Sequence, residues 1–209
     1  MKISEGVERF KGRPAEIPDC GRNDFVPYFQ ERGFKTGIEV GVFEGDYTEV
    51  LAKSGLKIYG VDPWLDYEGY IYGRNQKALD ERYQITIDRL KPYPNVTILR
   101  ETSMDAVKRF DDNSLDFVYI DANHRFKYVA EDLCEWAPKV KEGGVICGHD
   151  YASFKHRFLG GGCQVKEVVD AFALSFELDF WVLGRKRPPE GEYRDQYRSW
   201  MFIKTWLNH

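Results

Sequence analysis

Short apolar runs alternate along this chain with longer segments in which apolar residues recur at helical spacing. An apolar run that begins at Thr36 and ends near Glu39 leads into a glycine-bearing turn and then a helical segment from Asp46 to Ser54. The later runs that we interpret as strands are 56–61, 96–99, 115–120, 145–147, 179–183 and 199–204. The other segments that we interpret as helices are 23–32, 76–90, 129–137 and 165–176.

This alternation favours a parallel sheet with helices on both faces, because parallel neighbours need a crossover connection. The last two strands are joined without a helix and must therefore run antiparallel. We predict an α/β, Rossmann-like three-layer sandwich with a mostly parallel seven-stranded sheet and an antiparallel last strand. Residues 23–209 would form this single domain. Residues 1–22, which carry several glycines and prolines, would form an irregular N-terminal arm.

Composition narrows the classes of protein to which this chain could belong. With 209 residues, of which 43% are hydrophobic, it is long enough for one packed α/β domain. The net charge of -4 and the lack of a basic block argue against nucleic acid as a partner. Cys134 and Cys147 are expected to pack as small hydrophobic residues in a reducing compartment. Residues 1–10 are too polar for a signal peptide, and no apolar run has membrane length, so we expect a cytoplasmic protein.

The turn after the first strand holds the first candidate chemistry. Glu39 stands at the end of the strand, where open α/β sheets bind their ligands. Gly41 and Gly45 are expected to let the backbone approach a ligand or adopt a positive φ, and Asp46 to cap the following helix. The spacing differs from the Gly-x-Gly-x-x-Gly of dinucleotide sites. An acid in front of the turn would repel a pyrophosphate but attract a cationic ligand.

Two further segments end at the same predicted edge of the sheet. Asp62 follows the second strand, about 20 residues after the glycine turn, where a carboxylate can accept hydrogen bonds from ribose hydroxyls. The alternative is an acid that only starts the turn before Pro63. Trp64 either covers a nucleoside or closes the core. Ser103, after the third strand, is a candidate cap of a short helix.

The segments around the fourth and fifth strands carry the most specific pattern. They read Phe117-Val-Tyr-Ile-Asp121-Ala-Asn-His124 and onward to Leu133, then Trp136-Ala-Pro138, Gly143-Gly144 and Gly148-His-Asp-Tyr151. Together with Glu39-x-Gly41-x-x-x-Gly45, this pattern resembles class I S-adenosylmethionine-dependent methyltransferases. The closest resemblance is to their small-molecule O-methyltransferase branch of the methyltransferase 24 type. The antiparallel last strand is also the architecture of that class.

The resemblance implies which residues hold the donor, S-adenosylmethionine. Glu39 would orient its amino end, and Asp62 would bind its ribose. The set implied for the cofactor is Glu39, Gly41, Gly45, Asp62, Trp64, Ser103, Met104 and Asp121. Ser103 and Met104 would lie beside the adenine, although a plain helix cap would also explain them.

Methyl transfer to oxygen needs an aligned and deprotonated acceptor, which a general base or a divalent ion must provide. His124 is our candidate base, and Asp121 belongs to the same catalytic centre; the alternative is a histidine that only fixes its loop. The resemblance implies metal ligands at Asp121, His149 and Asp150, which could hold Mg²⁺ or Mn²⁺. The catechol-type pattern usually has Asp-Asn where this sequence has His149-Asp150. The alternative is therefore that Asp121 only assists the donor and that His149 only makes local hydrogen bonds.

The predicted function is O-methylation of a small hydroxylated metabolite of the sugar, phenol or natural-product type, with or without a metal ion. A nicotinamide-linked oxidoreductase and a cofactor-binding protein without turnover are the alternatives. Aromatic residues expected to wall the acceptor pocket are Trp64, Tyr67, Tyr70, Tyr72, Tyr151 and Phe154. The loops at 66–75, 152–163 and 184–198 would select the acceptor, and the helix faces would permit a homodimer.

Overall fold

Ten strands form in the computed structural model, which describes residues 1–67, 75–155, 162–184 and 197–205. They are β1 Ala15–Ile17, β2 Thr36–Val40, β3 Lys57–Val61, β4 Val96–Leu99, β5 Leu115–Ile120, β6 Val140–Gly148, β7 Phe154–Lys155, β8 Gly162–Cys163, β9 Trp181–Leu183 and β10 Ser199–Ile203. Tyr70, Tyr72 and most of the three predicted acceptor loops lie outside the described residues.

Eight of these strands build the central sheet, in the order β1-β9-β10-β6-β5-β2-β3-β4. All neighbouring pairs in it are parallel except those made by β10, which runs antiparallel to β6 and β9. The predicted Rossmann-like sheet with an antiparallel last strand is therefore confirmed. The strands β7 and β8 form a separate antiparallel pair inside the segment predicted as a loop at 152–163.

Helices cover both faces of the sheet and give the predicted three layers. They are α1 Ile3–Arg9, α2 Phe25–Glu31, α3 Asp46–Ala52, α4 Gln76–Leu90, α5 Ser103–Ala106, α6 Phe126–Trp136 and α7 Val165–Ser175. Side chains of β5 alternate between the layers: Val118 packs in the core under α6 and α7, and Phe117 and Tyr119 in the core under α1, α2 and α3. None of the described helices is both long and apolar enough to cross a membrane.

The N-terminal segment is more regular than the predicted arm. The helix α1 forms within it, and β1 adds an eighth strand by pairing in parallel with β9. The Ala15 N–H also donates to the carbonyl of Phe180 at 2.9 Å, which ties this segment to the far end of the chain. A three-residue strand is too short to leave a readable periodicity, so the sequence did not predict it.

Several local expectations were wrong for identifiable reasons. The strand β6 begins at Val140, before the predicted start at 145, so Gly143 and Gly144 lie inside it. Gly143 has a φ of 72°, and the ladder between β5 and β6 is irregular in this region. Cys134 is exposed on α6 and does not pack as a core residue, whereas Cys147 is buried in β6 as expected.

Candidate active site

The carboxyl ends of four parallel strands meet at one edge of the sheet. The strands β3, β2, β5 and β6 are consecutive neighbours in the sheet, and their pairing is regular at this end, which places the residues that follow them side by side. A cavity of about 400 Å³ lies at this edge, where open α/β sheets bind their ligands. The predicted donor and catalytic residues that line it are Glu39, Gly41, Asp62, Trp64, Ser103, Asp121 and His124.

Glu39 is the most deeply buried acid of the cavity lining, with 2% of its surface exposed. The hydroxyl of Thr48, from α3, donates a hydrogen bond to its carboxylate. Burial raises the pKa of Glu39 to about 8, which the bond from Thr48 opposes and the nearby charge of Asp121 reinforces. A cation bound beside this carboxyl would favour its charged form.

The two glycines of the turn serve the packing of the protein itself. Gly41 has a φ of 95°, and a Cβ at this position would come within 2.2 Å of the carbonyl oxygen of Asp121. Gly45 has a φ of 80°, and its Cβ would lie 3.3 Å from Thr86 on α4. Gly41 lines the cavity, while Gly45 is absent from the lining formed by the described residues. The pattern therefore marks a tight strand-to-helix turn, and only its first glycine faces the cavity.

Two predicted helix caps were wrong. Gly45 occupies the N-cap position of α3, and Asp46 follows it without making a side-chain cap bond. For α5, the cap is Thr102, whose side chain accepts from the N–H of Asp105 at 3.2 Å. Ser103 is thereby left for contacts with other parts of the molecule.

Asp62 ties the end of β3 to the turn after β2. One carboxylate oxygen accepts from the N–H groups of Val42 and Phe43 at 3.1 and 3.0 Å, and the other from Trp64 N–H at 2.9 Å. Burial raises the pKa of Asp62, against the effect of these three amides. Asp62 therefore holds the local turns in place, and it also lines the cavity.

Trp64 closes part of the core, which is one of its two interpretations, and it also borders the cavity. With 2% of its surface exposed, it packs in a small core with Val42 and Leu79. Its indole N–H donates to the carbonyl of Phe43 at 2.8 Å. The ring is therefore fixed before any ligand binds.

Ser103 stands in a hydrogen-bonded group at the start of α5. Its hydroxyl donates to the carboxylate of Asp132 on α6 and accepts from the indole N–H of Trp136 at 2.8 Å. Burial raises the pKa of Asp132, which is 4% exposed, to about 7. Met104 is half-buried and is absent from the described lining of the cavity. Of the two residues expected beside an adenine, only Ser103 therefore lines the cavity.

Four ionisable side chains gather where β5 and β6 end. The Nε2 atom of His124 lies 3.4 Å from Asp121 Oδ1 and 3.0 Å from Asp150 Oδ2. His149 Nδ1 lies 3.4 Å from the other Asp150 oxygen. The structure thus brings all four predicted catalytic and metal-binding residues together. The imidazole that bridges both carboxylates is that of His124.

Charge coupling within this group sets the protonation of its members. Burial lowers the pKa of His124, but the hydrogen bond to Asp121 and the charges of Asp150 and Asp121 outweigh it, so its pKa is raised above 6.5. Burial opposes ionisation of Asp150, yet a hydrogen bond from His149 and the charge of His124 lower its pKa. His124 therefore sits as a proton-binding group between two carboxylates.

Other lining residues were missed or misplaced by sequence reasoning. Arg22 and Tyr47 line the cavity, and nothing local in their segments marked them. Asn123 also lines it and donates to the hydroxyl of Tyr67 at 3.0 Å. Its place beside His124 in the quoted motif was a usable signal. Tyr151, expected in the pocket wall, is 5% exposed and hydrogen-bonds to Asp170 instead.

Solved structures with the same fold include several methyltransferases. An O-methyltransferase from Bacillus cereus in complex with SAH aligns at a TM-score of 0.59 and 15% identity, covering 87% of this chain and 80% of that one. The O-methyltransferase TomG from Streptomyces achromogenes, solved with SAM, aligns at 0.57 and 14%, covering 87% and 78%. An rRNA methylase from Streptococcus thermophilus aligns at 0.56 and 14%, covering 88% and 93%. Structural alignments at such low sequence identity establish the fold alone and do not identify the acceptor.

Comparison of the sequence with known proteins gives two further matches. An uncharacterized protein, y4gI, of Sinorhizobium fredii is 28% identical over 102 residues, which are 48% of this chain and 11% of that protein. This chain therefore spans only about a tenth of that relative's length. A family model described as a methyltransferase domain matches residues 38–151, which include every lining acid described above. The resemblance seen in the sequence is confirmed, and the chain belongs to this family of methyltransferases.

Proposed function

We propose that this protein transfers a methyl group from S-adenosylmethionine to a hydroxyl oxygen of a small acceptor of the sugar, phenol or natural-product type. The proposal rests on one observation: Glu39, Asp62, Asp121 and His124 line the same cavity. The chain that carries this cavity belongs to a methyltransferase family. A cavity lined by carboxylates suits a positively charged donor and repels the pyrophosphate of a nicotinamide cofactor. Charge and family together favour methyl transfer over hydride transfer.

In this proposal the donor is held from two sides of the turn after β2. Glu39 binds its ammonium group, because a cation beside the buried carboxyl offsets the cost of ionising it. Asp62 binds the ribose hydroxyls: its oxygens already accept amide hydrogen bonds, but each carboxylate oxygen can accept more than one. Trp64 and Ser103 border the nucleoside. Gly45 contributes by shaping the turn.

His124 is the proposed group that takes the proton of the acceptor hydroxyl. The carboxylates of Asp121 and Asp150 hold its ring and stabilise the imidazolium that forms on proton transfer. Because they also raise its pKa, part of the resting enzyme carries this proton at neutral pH. The rate should therefore increase with pH through that pKa.

The same cluster has a donor set suited to a divalent ion. Asp121, His124 and Asp150 offer two oxygens and a nitrogen that all lie within 4.8 Å of one another. We propose that Mg²⁺ or Mn²⁺ is held by Asp121 and Asp150. The nitrogen in this donor set is that of His124, whereas the predicted ligand His149 lies against the other Asp150 oxygen and outside the set, so His124 acts as a ligand or as the base but not as both at once. When bound, such an ion lowers the pKa of a coordinated acceptor hydroxyl.

Turnover against a panel of phenols, sugars and amino alcohols tests the proposal, with S-adenosylhomocysteine formation as the readout. We expect product with at least one hydroxylated acceptor and loss of activity in excess chelator. The Mn²⁺ affinities of the His149→Ala and His124→Ala variants separate the roles of the two histidines, because only the loss of a metal ligand should weaken Mn²⁺ binding. A protein that binds the donor but forms no S-adenosylhomocysteine across the panel would instead be a binding protein.

A further inference from the structure

Arg22 reaches the cavity from outside the segment matched by the family model. It begins the short turn Arg22–Asp24 that precedes α2. The turn is fixed at both ends, since Asp24 accepts from Gly21 N–H at 2.7 Å and the Tyr47 hydroxyl donates to the Arg22 carbonyl at 2.7 Å. The guanidinium carbon lies 5.5 Å from the ring centre of Tyr47. Arg22 is thus anchored on α3, the helix that follows the glycine turn.

The charge of Arg22 contrasts with that of its surroundings. The acids that line the cavity are Glu39, Asp46, Asp62 and Asp121. Within the part of this lining that the structure describes, Arg22 is the one side chain with a permanent positive charge. Its charge acts on both Glu39 and Asp150, lowering their pKa against the effect of burial. Arg22 therefore lines the same cavity as Glu39 and lies near enough for its charge to act on that acid.

We propose that Arg22 binds the α-carboxylate of the donor's amino-acid tail, a role that rests on the function proposed above. That tail carries an ammonium and a carboxylate on the same carbon atom. If Glu39 takes the ammonium, the carboxylate must lie next to it, in a cavity whose other charged walls are acidic. An arginine can donate two parallel hydrogen bonds to a carboxylate, and here it offsets that repulsion.

Donor fragments with and without the tail test this assignment. Calorimetry would compare S-adenosylhomocysteine with 5′-methylthioadenosine, which keeps the nucleoside and lacks the amino-acid group. For Arg22→Ala we expect roughly 10- to 100-fold weaker binding of S-adenosylhomocysteine and nearly unchanged binding of methylthioadenosine. Arg22→Lys keeps the charge but loses the paired geometry, so its loss should be intermediate. It also serves if the alanine variant does not fold.

Arg9→Ala is the matched control. Arg9 lies in the same N-terminal segment and also holds its guanidinium near an aromatic ring, 5.2 Å from the centre of Phe10, but it is exposed on α1. Its variant should bind both compounds as the wild type does. Equal losses for the two compounds in Arg22→Ala would show a structural role. Unchanged donor binding with a raised acceptor KM would place Arg22 on the acceptor, and either result overturns the assignment. Failure of the wild type to bind S-adenosylhomocysteine would instead refute the proposed function itself.

Discussion

The two ends of the central sheet treat buried carboxylates in opposite ways. At the amino end, Asp116 of β5 accepts from the N–H groups of Lys35 and Thr36 at 2.6 and 2.8 Å, and from Lys141 Nζ at 2.7 Å. Burial opposes its ionisation, but these donors lower its pKa. At the carboxyl end, Glu39 has the hydroxyl of Thr48 as donor, and burial raises its pKa to about 8.

The opposite pKa shifts distinguish an acid that stabilises the fold from an acid that is available to bind a ligand. Lys204, another buried charge at the amino end, also bonds to protein groups: its Nζ donates to Asn113 and to the carbonyls of Pro138 and Val140, but burial still lowers its pKa. A charge compensated internally stabilises the native state, whereas an acid left with a raised pKa destabilises it near neutral pH. Glu39 at the carboxyl end therefore retains binding capacity at a cost in stability.

The largest expected effect is on turnover, at the histidine between the two rim carboxylates. His124→Ala should lower kcat by about 10²- to 10⁴-fold, the usual contribution of a general base, with a much smaller change in S-adenosylhomocysteine affinity. In the wild type, kcat should increase with pH through a pKa above 6.5, and the variant should lose this dependence. Steady-state kinetics and calorimetry check both. Equal losses in turnover and affinity would indicate a structural histidine.

Glu39→Gln sharpens the comparison through donor affinity. The amide keeps the shape but removes the charge that faces the donor's ammonium, so affinity should drop roughly 10- to 100-fold. Stability near neutral pH should not decrease, because the buried acid is replaced by a neutral group. Calorimetry and thermal unfolding measure the two. A loss of stability with unchanged donor affinity would show that Glu39, like Asp116, stabilises the fold and does not bind the donor.

Asp116→Ala should give the reverse outcome. Removing this carboxylate leaves two backbone amides and Lys141 without their acceptor, at a cost of about 1–3 kcal/mol in the free energy of unfolding. Donor affinity should stay unchanged, since the site lies at the other end of β5. Asp112→Ala is the control: Asp112 pairs with Lys139 at 2.6 Å, but its side chain is 63% exposed, so its loss should cost about 1 kcal/mol or less. Similar costs for both variants would contradict this account of Asp116.

The last prediction concerns Asp132 and appears only as a dependence of stability on pH. Its carboxyl holds a proton up to about pH 7 in the native state, against an ordinary value of 3.8, so the native chain binds more protons between these values and stability decreases as pH rises. Asp132→Asn removes this contribution. The free energy of unfolding of the variant, relative to that of the wild type, should increase from pH 4 to 7 by at most about 1.4 kcal/mol per pH unit. Above pH 7 this difference should stay constant. Urea unfolding of both proteins across that pH range measures the difference, and a difference that does not change with pH would contradict the prediction.

Much of the fold followed from periodicity, because long elements carry their pattern locally. The helix α4 and the strands β4 and β5 begin and end where the sequence predicted. The rim acids were also accessible, since parallel strands must bring Glu39, Asp62 and Asp121 to one edge. What was missed depends on contacts between distant segments: the strand β1 on β9, and Arg22 reaching the cavity from the N-terminal segment.

Side-chain partners were equally out of reach of the sequence. Ser103 meets Asp132 and Trp136 only because α5 packs on α6, and no local pattern encodes that approach. The same limit applies to the histidines, since the resemblance implied His149 as the nitrogen ligand next to Asp121 and Asp150. The structure places His124 there.

Proton release on donor binding tests the central claim most directly. Titration calorimetry with S-adenosylhomocysteine at pH 7, in phosphate and in Tris, separates the heat of binding from the heat of buffer protonation. Because burial raises the pKa of Glu39 to about 8, an ammonium bound beside it should drive its proton off. We expect measurable association with proton release in the wild type and little release in Glu39→Gln. No heat of association in either buffer, or binding without proton release, would contradict the claim that this acidic rim holds the donor.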